Sequence, residues 1–240
     1  MQAILSDLTL PIIGYHRSPL SQKFGTPRQP NLVNIKSVIE FVAPFDTPDA
    51  FLGIENYSHL WVLWQFHHNK AQTYFRPQVR PPRLGGNDKM GVFATRSMYR
   101  PSQIGLSVVA LKSVQVIDQK VILHIVGADM IDGTPIIDVK PYLPYSDSLP
   151  HAISMIDKPS IKQVQIAKQA QIQFDGLLQV NAITQEDIDS VIGLIAQDPR
   201  PAYRQHETDI VSTMRYKTVD VDFMMNKCGE MVVGNIRVIK

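Results

Sequence analysis

Cysteine is nearly missing from this chain: Cys228 stands alone among 240 residues, so no internal disulfide can staple the fold. A reducing cell interior is the expected compartment, and the chain is expected to be cytoplasmic. Long apolar runs are missing too. No stretch reaches the roughly 18 residues that a membrane-spanning helix needs. Residues 1–10 contain Asp7 and lack a basic region followed by an apolar one, so a secretory signal is not expected. Neither sign of charge is in excess, with 24 Lys and Arg against 22 Asp and Glu. The common catalytic signatures are absent as well: there is no G-x-G-x-x-G, P-loop, G-x-S-x-G or H-E-x-x-H.

What is present begins with turn chemistry. Seventeen prolines against 13 glycines predict short strands and many loops. The densest punctuation is an arm over residues 76–100, where prolines fix φ and bias preceding residues away from helix. Between Lys70 and Arg100 lie Arg76, Arg80, Arg83, Lys89 and Arg96, against one acid, Asp88. Basic, proline-rich loops are commonly just solvated surface. Arginine, however, suits bidentate contact with phosphate, so a polyanionic partner is the alternative.

In chain order, residues 10–16, 35–42, 60–66, 91–95, 105–117, 120–126 and 134–139 read as strands. Residues 49–54 read as a short helical turn. Residues 60–66 are apolar on both faces, as for a strand buried on two sides. With almost no helix to this point, an antiparallel closed barrel is the expected architecture. Residues 143–159 read as a connector. Beyond it, Gln169-Ala170-Gln171-Ile172-Gln173-Phe174 alternates and reads as a half-exposed strand. Thr184 and Asp187 look like a helix N-cap before Ile188, Val191, Ile192 and Ile195, with Asp198-Pro199 as the stop. Residues 219–225 and 231–239 form a hairpin. The expected class is mainly β: an antiparallel single-sheet β-barrel over 1–150 and a small α+β domain over 160–240.

Three stretches could carry chemistry. His67-His68 with His59 invites a metal, but neighbours on a strand point to opposite faces and no Cys adds a ligand, so no metal is expected. Asp138, Lys140 and Tyr142 fall on one side of a strand, where they could hold a polar substrate or move a proton; a structural ion pair at a sheet edge is the other reading. Arg200, Tyr203 and Arg204, stiffened by Pro199 and Pro201, could grip phosphate and stack on a base, or form an ordinary loop. A reaction does not follow from these residues alone.

Taken in order, His16-Arg17-Ser18-Pro19, Pro27-Arg28-Gln29-Pro30, Ser58-His59-Leu60-Trp61, Arg80-Pro81-Pro82-Arg83-Leu84-Gly85-Gly86, Gly91-Val92-Phe93-Ala94-Thr95-Arg96-Ser97, Asp132-Gly133-Thr134-Pro135 and Asp138-Val139-Lys140-Pro141-Tyr142 resemble the TsaA/TrmO-type tRNA methyltransferases. The resemblance covers roughly residues 10–150, and residues 198–204 resemble the signature of a C-terminal extension. It implies a homodimer that binds S-adenosylmethionine near the subunit interface and methylates N6 of the threonylcarbamoyl-modified adenosine beside the anticodon of threonine tRNA. By matched position it implies cofactor contacts at Pro27, Arg28, Gln29, His67, His68, Arg96, Leu106, Met130, Ile131, Asp132 and Gly133. Asp138 or Tyr142 would accept the proton and Lys140 would pair with the substrate carboxylate. Arg76, Arg80, Arg83, Arg200, Tyr203 and Arg204 would hold the tRNA. Ser102-Gln103, where the family often has Asn-Pro, and His68, where it often has Gln or Glu, depart from the pattern. The rival readings are a non-catalytic RNA-binding barrel and a small-molecule hydrolase using Asp138 and His67; S-adenosylmethionine binding separates both from the methyltransferase.

Overall fold

The computed structural model describes residues 8–70, 72, 74–81 and 88–239. Among the described residues, eight strands precede the connector: β1 (Gly14–Arg17), β2 (Lys36–Phe41), β3 (His59–Gln65), β4 (Gln78–Val79), β5 (Met90–Gly91), β6 (Ile104–Ile117), β7 (Lys120–Val126) and β8 (Pro135–Pro141). Six of them close an antiparallel barrel in the order β1-β2-β7-β6-β3-β8, and β4 pairs with β5 in a separate ribbon. Alternation builds the wall: Ile39, Leu60, Val62, Val109, Leu123, Ile125 and Ile136 point inward and are buried in one core. The tight β6–β7 turn places Asp118 and Gln119 at positive φ, 48° and 64°, as a two-residue hairpin turn requires.

Two expectations are corrected here. The face of β3 opposite the core, with Trp61 and Leu63, is only half-buried. Residues 91–95 are not a strand; β5 ends at Gly91 and Val92–Ala94 form a 3-10 turn.

The connector holds α1 (Pro144–Asp147), pinned to the wall where Trp61 Nε1 donates to Asp147 Oδ2 (2.8 Å). The C-terminal unit follows with β9 (Val164–Ile166), α2 (Lys168–Gln179), α3 (Gln185–Ala196), β10 (Ser212–Tyr216), β11 (Val219–Met225) and β12 (Met231–Val238). Its sheet runs β10-β11-β12-β9, and β9 lies parallel to β12. The stretch expected as a strand at 169–174 is helix α2. Ala170 and Phe174, four apart, are its buried residues, and Leu177 and Leu178 pack beside them. That helical spacing overrides a short alternation rich in Gln, a good helix former. Thr184 caps α3 in a capping box with Asp187, as expected.

The β1–β2 segment joins the core of the C-terminal unit. Its Leu20, Val33 and Ile35 are buried with Phe174, Leu194, Met214 and Phe223. Phe24 stacks on Phe223 at 6.2 Å between ring centroids.

Candidate active site

Antiparallel alternation decides where the long loops meet. In the barrel β1, β3 and β7 run one way and β2, β6 and β8 the other. The three connections at residues 18–35, 66–103 and 127–134 therefore leave from the same end. These loops carry most of the expected cofactor residues.

Their side chains bind the loops to one another. Arg96 donates to Gln29 Oε1 across the first two loops. Lys23 Nζ reaches the His68 carbonyl (3.0 Å) and Asn69 Oδ1 (2.5 Å), and Asn69 Nδ2 donates to the Met98 carbonyl (3.2 Å). On the third loop, Asp132 Oδ1 accepts from the Ser18 amide (3.0 Å). The Asp132 and Gly133 amides donate to the carbonyls of Leu20 (2.7 Å) and His16 (2.8 Å). These two amides hold loop to loop. Met130 and Ile131 are buried, and the Ile131 carbonyl accepts from buried His16 (Nδ1, 3.1 Å). Burial drives the His16 pKa down to about 4, so its imidazole is neutral and Nδ1 is the donor.

His67 and His68 follow the end of β3 on a turn, with ring centroids 4.2 Å apart. Neither is on a strand, so the two side chains are not held to opposite faces. Burial first, then the neighbouring His68, lowers the His67 pKa, while Asp132 pulls it the other way.

A group that sequence reasoning missed lies at this rim. Trp64 Nε1 donates to Ser107 Oγ (2.9 Å), and Ser107 Oγ donates to Asp129 Oδ1 (2.5 Å). Burial raises the Asp129 pKa to about 6, against the opposing pull of Ser107 and Arg96. The available signal was a lone acid in the apolar run 125–131.

Other expected residues sit elsewhere. Pro27 and Arg28 line a narrow crevice with Leu194, Gln197 and Pro199, and Arg28 donates to the Arg200 carbonyl (2.6 Å) in the C-terminal unit. Leu106, Asp138, Lys140 and Tyr142 occupy the outer wall. The register sets Leu106 beside Leu63 beside Asp138, and Val108 beside Trp61 beside Lys140. A one-residue bulge at Ile137 puts Asp138 on this outward face although Ile136 points inward. Tyr142 borders an open depression with Asn31, His59 and Val108. The proposed trio thus shares one face, as its alternation predicts, yet that face is the barrel exterior and not the loop-lined end. Asp138 and His67 share no hydrogen bond among the described residues, so the hydrolase pairing gains no geometry.

Arg76 and Arg80 are exposed, and Arg83 lies outside the described residues. Tyr203 is exposed, and Arg204 pairs with Glu207 (2.9 Å). Arg200 corrects the expectation that it meets RNA. It is 2% exposed and forks onto Asp198 (2.8 and 2.9 Å) while donating to the carbonyls of Gln205 and Glu207. A guanidinium so enclosed shapes its loop and offers phosphate nothing.

The profile of the tRNA-methyltransferase O N-terminal domain matches residues 15–148. The tRNA (adenine(37)-N6)-methyltransferase of Escherichia coli K12 is 43% identical over 204 residues, covering 85% of this chain and 86% of that protein. The chain belongs to the TrmO family. A crystal structure of TrmO from Pseudomonas aeruginosa superposes with a TM-score of 0.79 at 30% identity, covering 99% of this chain and 100% of that one. A Methanothermobacter thermautotrophicus protein named a probable S-adenosyl-L-methionine-binding protein is 34% identical over 133 residues, 55% of this chain and 88% of that protein. Membership of the family accounts for the missing glycine-rich turn: the matched region is a closed antiparallel barrel, not a strand-turn-helix unit.

Proposed function

We propose that this chain transfers the methyl group of S-adenosylmethionine to N6 of the threonylcarbamoyl-modified adenosine at position 37 of threonine tRNA, in the cytoplasm and as a homodimer. The broader statement, an S-adenosylmethionine-dependent tRNA adenine methyltransferase, rests on family membership. The observation that carries it is the 43% identity to the Escherichia coli enzyme across most of both chains, together with loops gathered at one barrel end. Among the described residues, no helix is long and apolar enough to cross a membrane.

The donor set at the rim fits the cofactor. Asp129 is a carboxylate held in place by Ser107 and lying within the field of Arg96. It suits a ribose diol or an ammonium group, and Arg96 suits the carboxylate of an amino-acid tail. His67 is depressed in pKa and so stays neutral beside a cation. Gln29, His68, Leu106 and the Asp132 turn complete the proposed contacts. When bound, S-adenosylmethionine supplies an electrophilic methyl group on a sulfonium sulfur. The chain's residues then have to orient and deprotonate, because in-line positioning supplies most of the rate in such a transfer.

On the substrate side, the carbamoyl group acidifies the N6 proton, so a modest base suffices. We assign that role to Asp138 or Tyr142, with Lys140 facing the threonyl carboxylate. Because this trio shares the wall with Leu106, the proposal requires the target nucleoside to lie against the exterior of β8 and β3. A second subunit covering the half-buried Trp61, Leu63 and Val108 would enclose it. Arg76, Arg80, Arg83, Tyr203 and Arg204 are proposed to hold the anticodon arm. The test is transfer of labelled methyl by purified protein to threonine tRNA with and without its threonylcarbamoyl group. Label in the modified tRNA alone is expected; equal label in both defeats the substrate assignment. Asp138→Asn combined with Tyr142→Phe should lower turnover at least a hundredfold, and full turnover by a folded double variant removes the trio from the mechanism.

A further inference from the structure

The arm between β3 and β6 displays two phenylalanine rings that no core receives. Phe75 and Phe93 stack with centroids 6.0 Å apart and planes at 24°. They remain 55% and 72% exposed. Their backbone is nevertheless well held. Gln78 pairs with Gly91 and Val79 with Met90, the Val92 amide donates to the Pro77 carbonyl (2.9 Å), and Val92 itself is buried. Gln72 Nε2 ties the two sides again at the Tyr99 carbonyl (2.6 Å). The rings are thus presented by a pinned ribbon, and Phe93 stands three residues before Arg96.

Charge around them is mainly positive. Arg76, Arg80 and Lys89 are exposed on the same arm, where Asp88 is the single acid, and the Arg76 guanidinium lies over the ring of exposed Tyr74 at 5.5 Å. Large apolar rings left in water invite a partner. Apolar rings framed by guanidinium groups match a single-stranded nucleic acid, whose bases offer flat apolar faces and whose backbone offers phosphates.

We propose that Phe75 and Phe93 form a stacking platform for an unpaired base of the tRNA anticodon loop, with Arg76 and Arg80 on the flanking phosphates. The proposal rests on the tRNA methyltransferase reading and adds the residues that hold the loop open. The two rings are already within contact distance of each other, so the base stacks on the outer face of the pair and not between its members.

The test is fluorescence anisotropy of the full chain with a labelled anticodon stem-loop RNA at two salt concentrations, beside calorimetry with S-adenosylmethionine. Phe75→Leu and Phe93→Leu should each weaken RNA binding about tenfold or more while leaving cofactor affinity unchanged. Phe93→Trp should restore it. The salt slope should stay as in the parent for both leucine variants and flatten in Arg80→Ala. Leucine variants that bind RNA like the parent overturn the proposal. So does weakened binding that tracks a changed sedimentation mass, which would assign the rings to a contact between copies of the chain. If the parent binds S-adenosylmethionine but no RNA, the platform fails alone; if it binds neither, the methyltransferase reading falls with it.

Discussion

At the scale of single residues, Asp129 is the group whose chemistry is most exposed to test. Its carboxyl titrates near 6 in the folded chain, above the ordinary 3.8. The folded state therefore holds this proton more tightly than the unfolded chain does. The associated stability is fully present below about pH 4 and is lost as pH rises through 6, by at most about 3 kcal/mol. Asp129→Asn should raise the unfolding midpoint at pH 8 and leave it unchanged near pH 4, as read by denaturant titration at both. The same ionisation should favour a cationic ligand. Affinity for S-adenosylmethionine is expected to rise between pH 5 and 7 in the parent and to stay flat in Asp129→Asn. His16 works in the opposite direction: its pKa falls from 6.5 to about 4, so stability from its neutral form is present above 6.5 and is lost as pH drops toward 4. Neither residue was legible in the sequence. Asp129 owes its hydrogen bond to Ser107, 22 positions earlier on another strand, and His16 is bonded to a loop carbonyl at Ile131.

Elements were more readable where local and tertiary preferences agree. β6 and β7 alternate, are rich in Val, Ile and Leu, and meet at a two-residue turn, so the hairpin was plain. Helix α3 announces itself through Thr184 and Asp187. Removing that cap, Thr184→Ala, should cost about 1 kcal/mol in denaturant unfolding. Helix α2 was hidden because six alternating residues also fit its first turns, and only the docking of Ala170 and Phe174 chooses between the two. Close packing gives an element-scale prediction at β6. A Cβ at Gly105 would come within 2.3 Å of the Trp64 ring, so Gly105→Ala must displace the indole that orients Ser107. It should cost about 1–3 kcal/mol of stability and weaken cofactor binding together. Loss of stability with unaltered cofactor affinity would detach the Trp64–Ser107–Asp129 chain from the site.

For the whole molecule, the barrel and the C-terminal unit are joined through the β1–β2 segment, which gives Gln29 to the rim, Arg28 to the Arg200 loop and Leu20 to the C-terminal core. The sequence suggested a barrel followed by a small α+β unit. It did not show that one loop serves both, since that depends on which end of the barrel the C-terminal sheet covers. Arg200 illustrates the consequence: its composition suggested an RNA contact, and its fork onto Asp198 makes it a buried support. Arg200→Ala should destabilise the protein by about 3–5 kcal/mol by stranding a buried carboxylate, with RNA binding falling only as the fold does. Arg204→Ala should leave the unfolding midpoint unchanged and weaken RNA binding in a salt-dependent way.

The most direct measurement is mass spectrometry of nucleosides from threonine tRNA in cells with and without the gene. An N6-methylated threonylcarbamoyladenosine is expected with the gene, should vanish without it, and should return with the parent chain but not with a variant unable to bind S-adenosylmethionine. An unchanged nucleoside profile on deletion would contradict it.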